Sequence, residues 1–71
     1  MTNSEYLQRL ATKIKTIRKE KGLTQAQLAE ALGTNHTYIV RMERGDQDSR
    51  ITSLVALANA LGIGIGELVS V

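Results

Sequence analysis

The sequence predicts an all-α domain of five short helices, and three observations carry that prediction. Proline is absent, while six glycines fall between apolar segments, so helix ends are marked by glycine and by capping residues. Apolar residues recur three and four apart, the period of a helix with one buried face. No strand-like alternation stands out, although Ile63 and Ile65 are set among Gly62, Gly64 and Gly66. A chain of 71 residues is one small domain, residues 1–71, which buries about 60% of its unfolded surface and has room for one core and one working face.

The first helix is expected to start after Asn3 or Ser4. It carries Tyr6, Leu10, Ile14 and Ile17 on one face and ends at Gly22, where a left-handed residue costs least. Thr24 and Gln27 form a capping box that opens the second helix, QAQLAEAL, with Leu28 and Leu32 four apart before Gly33. Asn35 is the N-cap of a third helix, HTYIVRMER, which stops at Gly45. The polar segment DQDSR is a loop, with Asp48 or Ser49 as the cap of the next helix. That fourth helix, ITSLVALANAL, places Ile51, Leu54, Leu57, Ala58 and Leu61 on one stripe and ends at Gly62. Glu67, Leu68 and Val69 suffice for one last turn.

Composition removes several classes of function. There is no cysteine, so disulfides, zinc–thiolate sites, thiol catalysis and iron–sulfur clusters are excluded, and a reducing cytoplasm is the expected location. The start MTNSEYLQRLATKIK is charged throughout, and the most apolar run, ITSLVALANALGIGI, is broken by Thr52, Ser53 and Asn59, so no membrane contact is expected. His36 is the single histidine and has no second ligand type nearby in sequence, which argues against a metal site. No nucleophile–base or carboxylate pair stands at a useful spacing, so neither an enzyme nor a cofactor or small-molecule site is expected. Nine Lys/Arg against seven Asp/Glu give a net charge of +2. Arg9, Lys13, Lys15, Arg18, Lys19 and Lys21 fall in one stretch with Glu20 as the single acid, either a solvated helix face or a surface for a polyanion.

The second and third helices, joined by so short a turn, meet the constraints of a helix-turn-helix over about residues 24–44. With Gln25 counted as the first residue of the unit, small Ala29 is fifth, where a larger side chain would strike the incoming helix. Gly33 is ninth, where the turn favours positive φ. Ile39 is fifteenth and, with Leu28, Leu32 and Met42, supplies the apolar contact that sets the interhelical angle. An ordinary helical hairpin satisfies some of these positions; this chain satisfies all of them.

Through IKTIRKEKGLTQAQLAEALG, TNHTYIVRMERG and ITSLVALANALGIGIGEL, the chain resembles the lambda-repressor/Cro-like helix-turn-helix family, also called the XRE family, over residues 10 to 69. The resemblance implies a compact five-helix DNA-binding domain in which Arg18 of the first helix pairs with Glu43 of the third. It implies that the third helix lies in the major groove while the second crosses the backbone. His36, Thr37 and Arg41 then match base-reading positions, Arg41 as a bidentate partner for guanine. Tyr38 either joins them at the groove or fills the core. Gln25, Asn35, Arg44 and Lys19 are the implied phosphate contacts, with Lys21 nearby; for the lysines, plain solvation is the alternative.

The implied partner is a pseudo-palindromic double-stranded operator read by a homodimer. Ile63, Ile65, Leu68 and Val69 form the expected dimer contact, or else belong to the core. Regulation is expected to come from concentration, dimerisation or another protein rather than from a ligand-sensing domain. The short length and the TYI…MERG segment look like the controller proteins of restriction–modification systems, which implies a bacterial or phage transcription regulator working at the nucleoid. The competing reading is an antitoxin-like module that docks protein rather than DNA. Three features depart from the family pattern. Ser49 and Arg50 replace its usual Pro-Ser, Asp46 and Asp48 would repel phosphate, and Val40 sits where a solvent-facing residue is usual.

Overall fold

Thr2, rather than Asn3 or Ser4, opens the first helix. Its hydroxyl accepts from the Glu5 amide at 3.1 Å while the Glu5 carboxylate reaches back to the Thr2 amide at 3.5 Å, a capping box that moves the start toward the N-terminus. The computed structural model describes all 71 residues, Met1–Val71. It contains α1 (Asn3–Glu20), α2 (Gln25–Leu32), α3 (His36–Arg44), α4 (Ile51–Leu61) and α5 (Ile65–Val69). The all-α architecture is as the sequence predicts.

Local signals account for most of the boundaries. The Thr24–Gln27 box closes with bonds of 3.0 and 2.8 Å, and Asn35 Oδ1 accepts from the Tyr38 amide at 2.9 Å. The start of α4 differs from expectation. Arg50 occupies the cap position with no side-chain hydrogen bond, and neither Asp48 nor Ser49 caps the helix. Ser49 is instead engaged by Tyr38, hydroxyl to hydroxyl at 2.7 Å, which pins the loop to α3 and offsets the missing cap.

All five helices contribute to one core: Leu10 and Ile14 from α1, Leu28 and Ala29 from α2, Ile39 and Met42 from α3, Leu54, Leu57, Ala58 and Leu61 from α4, and Leu68 from α5. Each large side chain among them is worth about 1.5–3 kcal/mol when removed from water. Two expectations are corrected here. Ile51, placed on the buried stripe of α4, is 61% exposed, because at the first position of the helix it shares the outer side with Val55, which is 39% exposed. Leu68, placed in a dimer contact, is fully buried within the single chain and therefore belongs to the core; Ile63, Ile65 and Val69 are partly buried against that core.

Side chains from α1 hold the far elements in place. The Tyr6 hydroxyl donates to the Val69 carbonyl at 2.7 Å. Lys13 donates to the carbonyls of Glu67 and Ser70, placing a cation at the C-terminal end of α5, where the helix dipole favours it. Gln8 donates to the Arg44 carbonyl at 3.0 Å and so covers the C-terminal end of α3. No helix is long and apolar enough to cross a membrane.

Gly45 is constrained twice. Its φ of 78° is left-handed, and a Cβ built on it would lie 2.3 Å from Gln8 Nε2. Gly45→Ala is therefore expected to cost about 2–3 kcal/mol, combining backbone strain with loss of the Gln8 bond, against about 1–2 kcal/mol for Gly22→Ala, whose Cβ meets nothing. Urea unfolding of the two variants makes the comparison, and equal losses would remove Gln8 from the account.

Candidate nucleic-acid interface

The turn between α2 and α3 is set by backbone geometry. Gly33 has φ 68°, its amide bonds to the Glu30 carbonyl, and the Thr34 amide bonds to the Ala29 carbonyl at 2.9 Å. Orphan carbonyls at the end of α2 are thereby satisfied while the chain reverses. Ala29 is 3% exposed beneath this turn and Ile39 is fully buried, so α3 has one side locked inward.

The opposite side of α3 faces out. His36, Thr37, Arg41 and Arg44 are exposed, with half-buried Val40 among them. Their spacing of one, four, five and eight residues from His36 describes a single stripe on a helix. Arg41 makes no ion pair or side-chain hydrogen bond within the chain, leaving its full fork of donors available. Arg44 lies 3.4 Å from Asp46, but both are well exposed, and such a pair is worth only about 0.2–1 kcal/mol. An incoming anion can displace it.

Tyr38 does not share the stripe. It is half-buried against the core with its hydroxyl engaged by Ser49, so the expectation of a base contact gives way to a packing role. Asn35 Oδ1 is committed to the α3 cap, which leaves its amide NH₂ as the group free to meet an anion. Lys19 is exposed, as are Arg9, Lys15 and Lys21. The six-base stretch of α1 is thus divided, since Lys13 is turned to α5 and Arg18 is buried.

Behind the stripe lies a chain of polar contacts. Arg18 Nε donates to Glu43 Oε2 at 2.6 Å and Arg18 Nη2 to Oε1 at 3.0 Å, with the two side chains 8% and 3% exposed. Arg18 Nη1 donates to the Leu23 carbonyl at 2.7 Å, tying in the α1–α2 turn. Gln25 Nε2 donates to Glu43 Oε1 at 3.1 Å, and Gln25 Oε1 lies 3.1 Å from His36 Nε2. No buried side-chain nitrogen or oxygen lacks a partner. Arg18, Glu43, Gln25 and His36 are therefore brought together. The link from Gln25 to both Glu43 and His36 escapes sequence reasoning, because the partners lie 18 and 11 residues away and no periodicity connects them.

Comparison with known proteins agrees with this geometry. The helix-turn-helix family HTH_3 matches residues 14–68. The chain belongs to that family. Over 57 residues it is 42% identical to the immunity repressor protein of Bacillus phage phi105, covering 80% of this chain and 40% of the repressor. It therefore spans less than half the length of that relative. Over 61 residues it is 34% identical to control protein C.SmaI of Serratia marcescens, covering 86% of this chain and 73% of that protein. The crystal structure of the restriction-modification controller protein C.AhdI from Aeromonas hydrophila superposes with a TM-score of 0.90 at 29% identity, covering 96% of this chain and 99% of that one.

The buried pair makes a sharp demand on the fold. Glu43→Ala leaves the Arg18 charge buried without its partner and is expected to cost about 3–5 kcal/mol, comparable with the whole stability of a small domain. The double variant Arg18→Met/Glu43→Leu is expected to recover most of that loss, because apolar packing can substitute for a buried pair. Thermal unfolding followed by circular dichroism separates the cases; a double variant no more stable than Glu43→Ala would contradict a purely architectural role.

Proposed function

We propose that this chain is a transcription regulator that binds double-stranded DNA sequence-specifically as a homodimer, with α3 in the major groove. The observation that carries the reading is the exposed stripe of α3. It presents His36, Thr37 and Arg41 on a helix whose other side is locked into the core by Ile39 and Met42. Arg41 is the base-reading anchor, with two donors for guanine O6 and N7. Arg44, Lys19, the free amide hydrogens of Asn35 and Gln25, and the backbone amides at the start of α2 serve phosphates, which position the protein without specifying sequence.

A dimer fits both the reading and the surface. Ile51, Val55 and Asn59 follow one another at four-residue steps on the outer side of α4, and Ile63 lies just beyond the helix end. The apolar members of this line, Ile51, Val55 and Ile63, with the partly buried Ile65 and Val69 of α5, form the surface we assign to a second copy of the chain, and a two-fold dimer reads two half-sites about one helical turn apart. Within the family, control of a restriction–modification operon is the finer reading, supported by the near full-length superposition on C.AhdI and the similarity to C.SmaI. Such a regulator works in the cytoplasm of a bacterial or phage-infected cell, on nucleoid DNA.

Selection from random duplex DNA, titrated with salt, tests the function. The wild type is expected to enrich a near-palindrome, and Arg41→Ala to relax it at one guanine per half-site with a loss of about 1–3 kcal/mol. Binding should weaken with salt at a log–log slope of roughly −3 to −5 per monomer, doubled in the dimer. Operator affinity that survives Arg41→Glu would overturn the assignment of α3, and binding without sequence preference would favour a protein-docking role. Sedimentation tests the assembly: Val55→Lys is expected to shift the dimer toward monomer at micromolar concentration, and an unchanged dimer would place the contact elsewhere.

A further inference from the structure

The hydrogen bonds behind His36 run in one direction only. Both oxygens of Glu43 are occupied by donors from Arg18, and an ionised carboxylate has no proton to give. The Gln25 amide must therefore turn its NH₂ toward Glu43 Oε1, since the reversed amide would set oxygen against oxygen beside a buried acid. That orientation points Gln25 Oε1 at His36 Nε2, 3.1 Å away. An amide oxygen only accepts, so Nε2 supplies the proton. A neutral imidazole carries a single N–H, and with that hydrogen committed to Gln25 the other nitrogen, Nδ1, is left with a bare lone pair. Nδ1 makes no hydrogen bond within the chain, and His36 is exposed at the first position of α3.

We infer that His36 is a specificity-determining residue that offers an acceptor to the groove, and so selects a base carrying an exocyclic amine, cytosine N4 or adenine N6. This rests on the DNA-binding reading above and adds to it the class of base. A histidine free to exchange tautomers could donate equally well to guanine N7 and O6 or thymine O4. The chain Arg18–Glu43–Gln25 removes that option while His36 is neutral. Gln25 and Glu43 are positioning residues for His36: the buried charge fixes the amide, and the amide fixes the ring. Arg41, a pure donor one turn along the same stripe, suits guanine, so the two residues together distinguish acceptor-bearing from donor-bearing base edges.

Two measurements on the full chain test this, both at about pH 8.5. The chain has one histidine, so nitrogen-15 NMR of its ring is unambiguous. The wild type is expected to show the proton held on Nε2, with slowed exchange, and Gln25→Met to show mixed tautomers exchanging freely. In the duplex selection, the half-site position levelled by His36→Ala is expected to favour cytosine or adenine by roughly three- to tenfold in the wild type, the worth of one hydrogen bond. Gln25→Met should admit guanine and thymine at that position alone. A proton on Nδ1, or a wild-type preference for guanine there, overturns the inference while an enriched operator keeps the DNA reading intact. No enriched sequence at all overturns both. If Gln25→Met does not fold, the wild-type spectrum and the His36→Ala selection still decide.

Discussion

The Arg18–Glu43 pair joins the last turn of α1 to the last turn of α3, and through Leu23 and Gln25 it also holds the segment between them. Three helices and a turn are registered on one guanidinium and one carboxylate, both almost wholly removed from water. A buried pair of this kind contributes little net stability compared with apolar packing. Its value is directional, because five fixed donors on a planar group permit one arrangement of their acceptors where leucines would permit several. The side of α3 that faces outward is thus a consequence of which side carries Glu43.

Charge in this protein is spent on architecture before it reaches the surface. Of the six bases in the Arg9–Lys21 stretch, Arg18 is buried with Glu43 and Lys13 closes α5. The cations left exposed are Arg9, Lys15 and Lys19 on α1, Lys21 just after it, Arg41 and Arg44 on α3, and Arg50 before α4, rather than one helix face. Sequence-level charge patterning overstates the continuity of the basic surface, since it cannot separate a lysine that completes a helix end from one that awaits a ligand.

What was legible in the sequence is what local rules govern. Capping at Thr24 and Asn35, and the glycines that follow α2, α3 and α4, are decided within four residues, and the structure places them where the pattern does. Thr2 is hard to pick out because Asn3 and Ser4 are equally good caps by composition, and only Glu5, three residues on, favours Thr2. Ile51 leaves its expected stripe, and Leu68 takes the core alternative over the dimer contact, for opposite reasons. Helical period identifies a side but not whether another element covers its end, and a short apolar C-terminal segment reads the same whether it plugs a core or meets a partner. The exposed stripe of α3 could be read because buried Ile39 and Met42 fix its phase. Gln8 on Arg44, Tyr38 on Ser49 and Gln25 between Glu43 and His36 join residues that no periodicity relates.

The Tyr6–Val69 hydrogen bond spans 63 residues, almost the whole chain. Closing a loop of that length costs about 3–4 kcal/mol in chain entropy, more than one hydrogen bond returns. The bond therefore forms only once α1 to α4 have brought its ends together. A five-residue α5 without a side-chain cap has no stability of its own, so it docks last on a preformed core and is the first element to leave it. Whenever it leaves, the slot filled by Leu68 opens to water. The most labile piece of the fold thus guards one of its most buried side chains.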